Sequence, residues 1–178
     1  KPGRLSQAPD ARSWSWCVTL PSRRLADLGL SLPSVTPPLA AYVPAVRFED
    51  LVYTAGQLPL VNGELLAVGK VGAEVAVEDA THCAQIAALN GLAAVVDLAG
   101  ELDAITRIIK VTVYVASAPG FTDQPLIANG ASRLLGDVFG QAGHHARSAV
   151  GVAVLPLDAP VEVDLVVAVG WTPTFEPL

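Results

Sequence analysis

Ala146-Arg-Ser-Ala-Val-Gly-Val-Ala-Val-Leu-Pro156, followed by Val161-Glu-Val-Asp-Leu-Val-Val-Ala-Val169, is the stretch whose reading decides the fold. Its β-branched residues in short apolar runs predict two strands, 147–155 and Val161–Val169, separated by a turn at 156–160. Arg147 opens the first of them. A guanidinium at the mouth of an apolar strand must reach solvent, a carboxylate partner or a ligand, because burying it unpaired is costly. Its planar fork of donors suits a bidentate grip on a carboxylate, which makes Arg147 the foremost candidate for binding a small substrate. Glu162 opens the following strand, and the two-residue period places Asp164 on the same face. Two readings stand at this point. One is a structural Arg–Glu ion pair or two edge charges, the commoner arrangement for such a pattern. The other is a pocket in which Arg147 holds a substrate carboxylate and Glu162 positions a water. Asp164 reads as a solvated strand charge.

Upstream, residues 105–116 predict a strand from Ile108, Ile109, Val111, Val113, Tyr114 and Val115. Residues 78–98 predict a long helix. Its stripe of Ala80, Cys83, Ala84, Ala87, Gly91, Ala94, Val95 and Leu98 is made mainly of small residues, so it can pack close to a sheet. Gly100 ends it. Residues 125–139 predict a second helix, with Asn129 as a surface amide. Residues 42–47 and 51–55 predict two strands joined by a tight turn at 48–50, with Tyr42 opening the first. Gly56 follows the second, where glycine marks a turn or a close backbone approach. Asn62-Gly63 signals a further turn. The order β-β-α-β-α-β-β predicts an α+β domain, a mixed sheet with both helices on one face.

Before this domain, residues 1–21 mix Ser, Pro, Arg and Trp without periodicity and read as a flexible N-terminal extension. They have no long apolar run and do not read as a signal peptide. Residues 22–40 read as a short helix N-capped by Ser22, then a linker rich in proline (Pro33, Pro37, Pro38). Residues 41–170 form the domain, and 171–178 a tail.

The chain is 52% apolar and carries a net charge of −6, and its mean hydropathy of +0.47 is high for a monomer. The apolar residues come in short runs, so no membrane span is expected. The excess predicts strands buried on both faces, or surface buried between subunits. The acidic balance works against a phosphate backbone, so no nucleic-acid partner is expected. Cys17 and Cys83 are far apart, and Cys83 reads as a small buried thiol. A cytoplasmic protein is expected. Phosphate-loop, dinucleotide, zinc-protease and serine-elbow motifs are absent. His144-His145 are adjacent, a poor spacing for a shared metal; one of them can line a site near Arg147.

Taken together, Ala41-Tyr-Val-Pro-Ala-Val-Arg47, Leu51-Val-Tyr-Thr-Ala-Gly-Gln-Leu-Pro59, Val111-Thr-Val-Tyr-Val115 and above all the Arg147 and Glu162 strands resemble the Rid family of reactive intermediate deaminases. The resemblance runs from about Arg24 to Val169. It implies a chorismate-mutase-like fold, a homotrimer with clefts between subunits, and hydrolysis of enamines and imines of the 2-aminoacrylate type to 2-keto acids and ammonia, with no metal or organic cofactor. By this resemblance Arg147 binds the substrate carboxylate and Glu162 orients the attacking water. Tyr42 covers the site, Asn129 is a pocket amide, and Gly56 and Ala149 make backbone contacts. Ala149 stands where the best-known members often have cysteine, and Ala40-Ala41-Tyr42 replaces their Gly-Pro-Tyr entry, which marks a divergent subgroup. The alternatives are a non-catalytic trimer that binds small carboxylates or a protein partner and, behind it, an endoribonuclease, as old family labels have it.

Overall fold

Strand β5 (Ile105–Ala116) sets the plan: Val111, Val113 and Val115 are fully buried, while Thr112 and Tyr114 between them are only half-buried. Strand β7 (Val161–Val169) repeats the alternation without a break. A period of two with one buried set means a sheet covered on one face. The structure, a computed structural model, describes residues 19–35 and 41–170. Trp14, Trp16, Cys17, Pro37, Pro38 and the tail at 171–178 lie outside the described residues.

Among the described residues the sheet has five strands. With β1 (Ala45–Phe48), β2 (Leu51–Thr54) and β6 (Ala146–Val152), the order is β1-β2-β7-β5-β6. Only β5 and β6 run parallel, so the sheet is mixed as expected. Helix α2 (Val77–Ala99) lies over β1, β2 and β7, and α3 (Gln124–Phe139) lies beside it over β5 and β6. The opposite face of the sheet has no helix among the described residues. The expectation of strands buried on both faces is therefore not met among the described residues. That face exposes Val46, Phe48, Tyr53 and Val150, with Phe48 at 68% exposure. Asn62-Gly63 closes a hairpin between β3 (Leu60–Val61) and β4 (Glu64–Leu65), both turn residues having positive φ.

The predicted stripe of α2 is buried except for Leu98, and Ala88, Leu89, Leu92 and Ala93 widen it, because α3 covers a second side. At 23 residues α2 is also long and apolar enough, by length and composition, to cross a membrane. That corrects the reading that every apolar run is short; the helix packs here against α3 and β7 as a core element. Cys83 lies in this core, and burial, with the Asp79 charge adding to it, pushes its thiol up to about 11.

Other corrections have local causes. The strand predicted at 147–155 ends at Val152, because its neighbour β5 ends at the paired Ala116. The first strand begins at Ala45, the partner of Thr54 at the end of β2, so Tyr42 precedes it in a bend. Ser22 is not an N-cap. A short helix, α1 (Pro21–Asp27), starts at the preceding proline, and the Ser22 amide and hydroxyl donate to the Asp103 carboxylate at 2.8 and 2.6 Å.

Two glycines permit the helix packing. A Cβ at Gly91 would sit 2.9 Å from Leu165 Cδ1 on β7, and one at Gly130 would run into the Thr81 carbonyl of α2. The second obstacle is backbone and cannot turn aside. Gly130→Ala gains about 1 kcal/mol of helix propensity but overpacks the α2–α3 contact against rigid backbone at a cost of about 3 kcal/mol, so a net loss of about 2 kcal/mol is expected. Urea unfolding checks this; an unchanged or higher midpoint would contradict the close approach.

Candidate functional site

Arg147 pairs in register with buried Val111, so its side chain leaves the sheet on the helix side. There Nη1 donates to Asn129 Oδ1 at 2.9 Å and Ser132 Oγ at 3.1 Å, and Nη2 reaches the Pro125 carbonyl at 3.4 Å. Spacings of four and three residues put positions 125, 129 and 132 on one face of α3. All three acceptors are neutral, so they aim the guanidinium without cancelling its charge.

His145 completes this cluster. Its Nδ1 lies 2.6 Å from the Gly143 carbonyl, and its Nε2 lies 3.0 Å from Ser132 Oγ. A carbonyl only accepts, so Nδ1 carries the proton of the neutral ring and Nε2 accepts from the Ser132 hydroxyl. Burial lowers the His145 pKa, and the Arg147 and His144 charges act the same way, against the Gly143 carbonyl that raises it. Ser132, Gly143, His144, His145 and Arg147 line an open pocket of about 290 Å³.

The second cluster lies on the other side of the sheet. Glu162 pairs with Tyr114, on the face away from the helices. Its carboxylate lies against the Cα of Gly56, where any Cβ would occupy the place of Oε1. Gln57 and Val163 exchange both backbone hydrogen bonds, at 2.8 and 2.9 Å, which holds Gly56 over Glu162. Burial raises the Glu162 pKa, and the neighbouring Asp164 charge adds to this. Asp164 is not simply solvated; it is half-buried and accepts the Tyr114 hydroxyl at 3.0 Å.

The chain thus brings Arg147 together with Asn129, and Glu162 together with Gly56, but not the two pairs with each other. The two charged strands are not neighbours: β5 lies between β6 and β7, and Arg147 and Glu162 leave opposite faces. Neither the structural ion pair nor a pocket shared within one chain is what the fold builds. Ala149 shares the face of Arg147, two residues on, and is half-buried against the core. Tyr42 is 51% exposed ahead of β1. Ser132 and the Pro125 carbonyl are additions that sequence reasoning missed; the helical spacing from Asn129 was the available signal. Choosing His145 over His144 needed only the strand period, since residue 145 shares the face of 147. Among the described residues no group of three His, Cys, Asp or Glu side chains is placed to hold a metal ion.

Comparison with known proteins agrees with this architecture. A family model described as YjgF/chorismate mutase-like, "putative endoribonuclease", matches residues 22–169. Protein TCP17 of Trypanosoma cruzi is 40% identical over 144 residues, covering 80% of this chain and 90% of that protein. A 2-iminobutanoate/2-iminopropanoate deaminase of Dermatophagoides farinae is 30% identical over 141 residues, covering 79% and 94%. Among solved structures, a protein of unknown function from Agrobacterium tumefaciens superposes with a TM-score of 0.78 at 42% identity, covering 85% of this chain and 93% of that one. The chain belongs to the YjgF/RutC family, the Rid family, and has its α+β, chorismate-mutase-like fold.

Proposed function

We propose that the protein hydrolyses small reactive 2-imino acids of the 2-aminoacrylate type to 2-keto acids and ammonia, in a homotrimer with its sites between subunits. The observation that carries this reading is Arg147: a cation aimed by three neutral acceptors at the edge of an open pocket. That arrangement suits a carboxylate ligand. The deaminase name of the Dermatophagoides relative supports the reaction class.

The chemistry asks little of the protein. An imine carbon is already electrophilic, so holding it beside an oriented water is most of the task. Arg147 fixes the substrate carboxylate. Glu162 takes a proton from water as the oxygen adds to the imine carbon and passes it to the nitrogen, giving an amino alcohol; the second water proton, on the new hydroxyl, follows by the same route as the C–N bond breaks. Ammonia leaves and the 2-keto acid remains. Burial of Glu162 suits it to this exchange, since a raised pKa makes it a better proton acceptor. No metal or organic cofactor enters this scheme, and the ligand is a small 2-imino or 2-keto carboxylate.

Two observations favour a site shared between subunits. The two clusters lie on different surfaces, and different surfaces meet in a ring-closing, head-to-tail interface. The uncovered sheet face also exposes the apolar side chains Val46, Phe48, Tyr53 and Val150, which a second copy would bury. In such an assembly Tyr42, exposed beside the sheet, can cover a neighbour's pocket. An RNA substrate fits less well, because a net charge of −6 repels a phosphate backbone.

Arg147→Ala removes two charge-assisted hydrogen bonds to substrate, each worth about 1.5–3 kcal/mol. A fall in kcat/KM for 2-iminopropionate of about 100-fold or more is expected in an ammonia-release assay. Wild-type rates in Arg147→Ala would overturn the assignment, and 2-keto acid binding without turnover in the wild type would favour a non-catalytic carboxylate binder.

Glu162 makes a second prediction. Its pKa is raised above the ordinary 4.5 by folding, so the native state binds more protons than the unfolded chain between 4.5 and the raised value. The stability tied to this group is fully present below 4.5 and is lost as pH rises through the raised pKa. Glu162→Gln should therefore abolish turnover yet raise the thermal midpoint at pH 8, with the gain gone at pH 4. A midpoint lowered at pH 8 would contradict a burial cost on the Glu162 carboxylate that outweighs its attraction to the next subunit's Arg147.

A further inference from the structure

We propose that His145 is a positioning residue for Arg147: acting through Ser132, the neutral imidazole holds the guanidinium in its carboxylate-binding attitude, and protonation of the ring releases it. This rests on the reading of Arg147 as the carboxylate clamp.

The available hydrogens fix the direction of each bond. The Gly143 carbonyl accepts from Nδ1, which leaves Nε2 bare. Nε2 takes the Ser132 hydroxyl proton at 3.0 Å, and this turns a lone pair of Ser132 Oγ toward Arg147 Nη1 at 3.1 Å. Each N–H and O–H in the series has one acceptor, so the direction of every bond follows from the first. Asn129 holds the same Nη1 from α3, and the remaining guanidinium N–H groups are left for a ligand.

Protonation of His145 reverses the middle bond. Nε2 becomes a donor, the Ser132 proton loses its acceptor, and Ser132 Oγ comes to lie between two cationic N–H groups. The charged and titratable groups that face His145 are Arg147 on β6 and His144 beside it. From α3 it meets the neutral Ser132; Arg133 and Asp137 of that helix line a separate groove with Leu28 and Leu30. From β5, Lys110 donates to Ser148 on the far face of the sheet. The turn at Gly140–Gly143 supplies only a carbonyl. No carboxylate among these groups offsets a second positive charge. The ring can also attract a bound anion when charged, but both its nitrogens are turned to protein, and attraction across an open pocket is screened.

The experiment is calorimetric binding of pyruvate, a 2-keto acid, between pH 5 and 8.5, with thermal midpoints recorded for each variant. At pH 8, His145→Leu and Ser132→Ala should each weaken binding about tenfold, and the double variant no further, since they break one series. His145→Gln should bind near the wild-type level, its amide oxygen taking the Ser132 proton. Wild-type affinity should fall in acid while that of His145→Gln stays flat. Pyruvate bound by Arg147→Ala as tightly as by wild type would defeat the reading of the clamp itself. If Arg147→Ala loses binding, the inference is overturned by His145→Leu binding like wild type, by His145→Gln as weak as His145→Leu, by additive losses in the double variant, or by wild-type affinity that is flat or rises in acid.

Discussion

Among the described residues, only one face of the five-stranded sheet is covered. The unbroken alternation of β7, with Val161, Val163, Leu165, Val167 and Val169 buried and Glu162 and Asp164 turned away, commits the odd positions to the helices and the even ones to the open side. The crossover from β5 through α3 to β6 then places Arg147 at the sheet edge with its side chain toward α3. One constraint thus separates the two charged groups. It also leaves half of the strand surface, including Val46, Phe48 and Tyr53, without cover.

Each charge is handled by a different physical means. Arg147 is aimed by neutral acceptors, so its direction is set while its charge stays available. Glu162 is pressed against the Cα of Gly56, where only glycine leaves room, and its burial favours the protonated form. A cation ready for an anion and a carboxylate ready for a proton are the two functions that imine hydrolysis needs. The proposed assembly supplies their meeting, with one subunit's Arg147 cluster facing the Glu162 of the next.

Most of the fold was legible because its signals are local. The β-branched runs gave β5 and β7 their observed limits, and the small-residue stripe of α2 anticipated its close packing at Gly91. What was not legible depends on partners. β6 ends at Val152 because β5 has run out, a fact invisible in the apolar run that continues to Leu155. The order of strands escaped for the same reason: adjacency in sequence suggested that β6 and β7 are neighbours, and β5 lies between them. Within the site, Arg147, Glu162, Gly56 and Asn129 could be named as candidates from pattern and resemblance. Ser132 was missed, since its helical spacing from Asn129 gains meaning only once the strand brings Arg147 and His145 to that face.

The central claim is that Arg147 and Glu162 act on one substrate from different subunits. Arg147→Ala and Glu162→Gln proteins, each inactive alone, can be unfolded together and refolded as mixed oligomers. In a cyclic ring with random mixing, about a quarter of the junctions join an intact Arg147 to an intact Glu162. The account predicts that imine-hydrolysing activity returns to about that fraction of wild type; a mixture as inactive as its two components would contradict it.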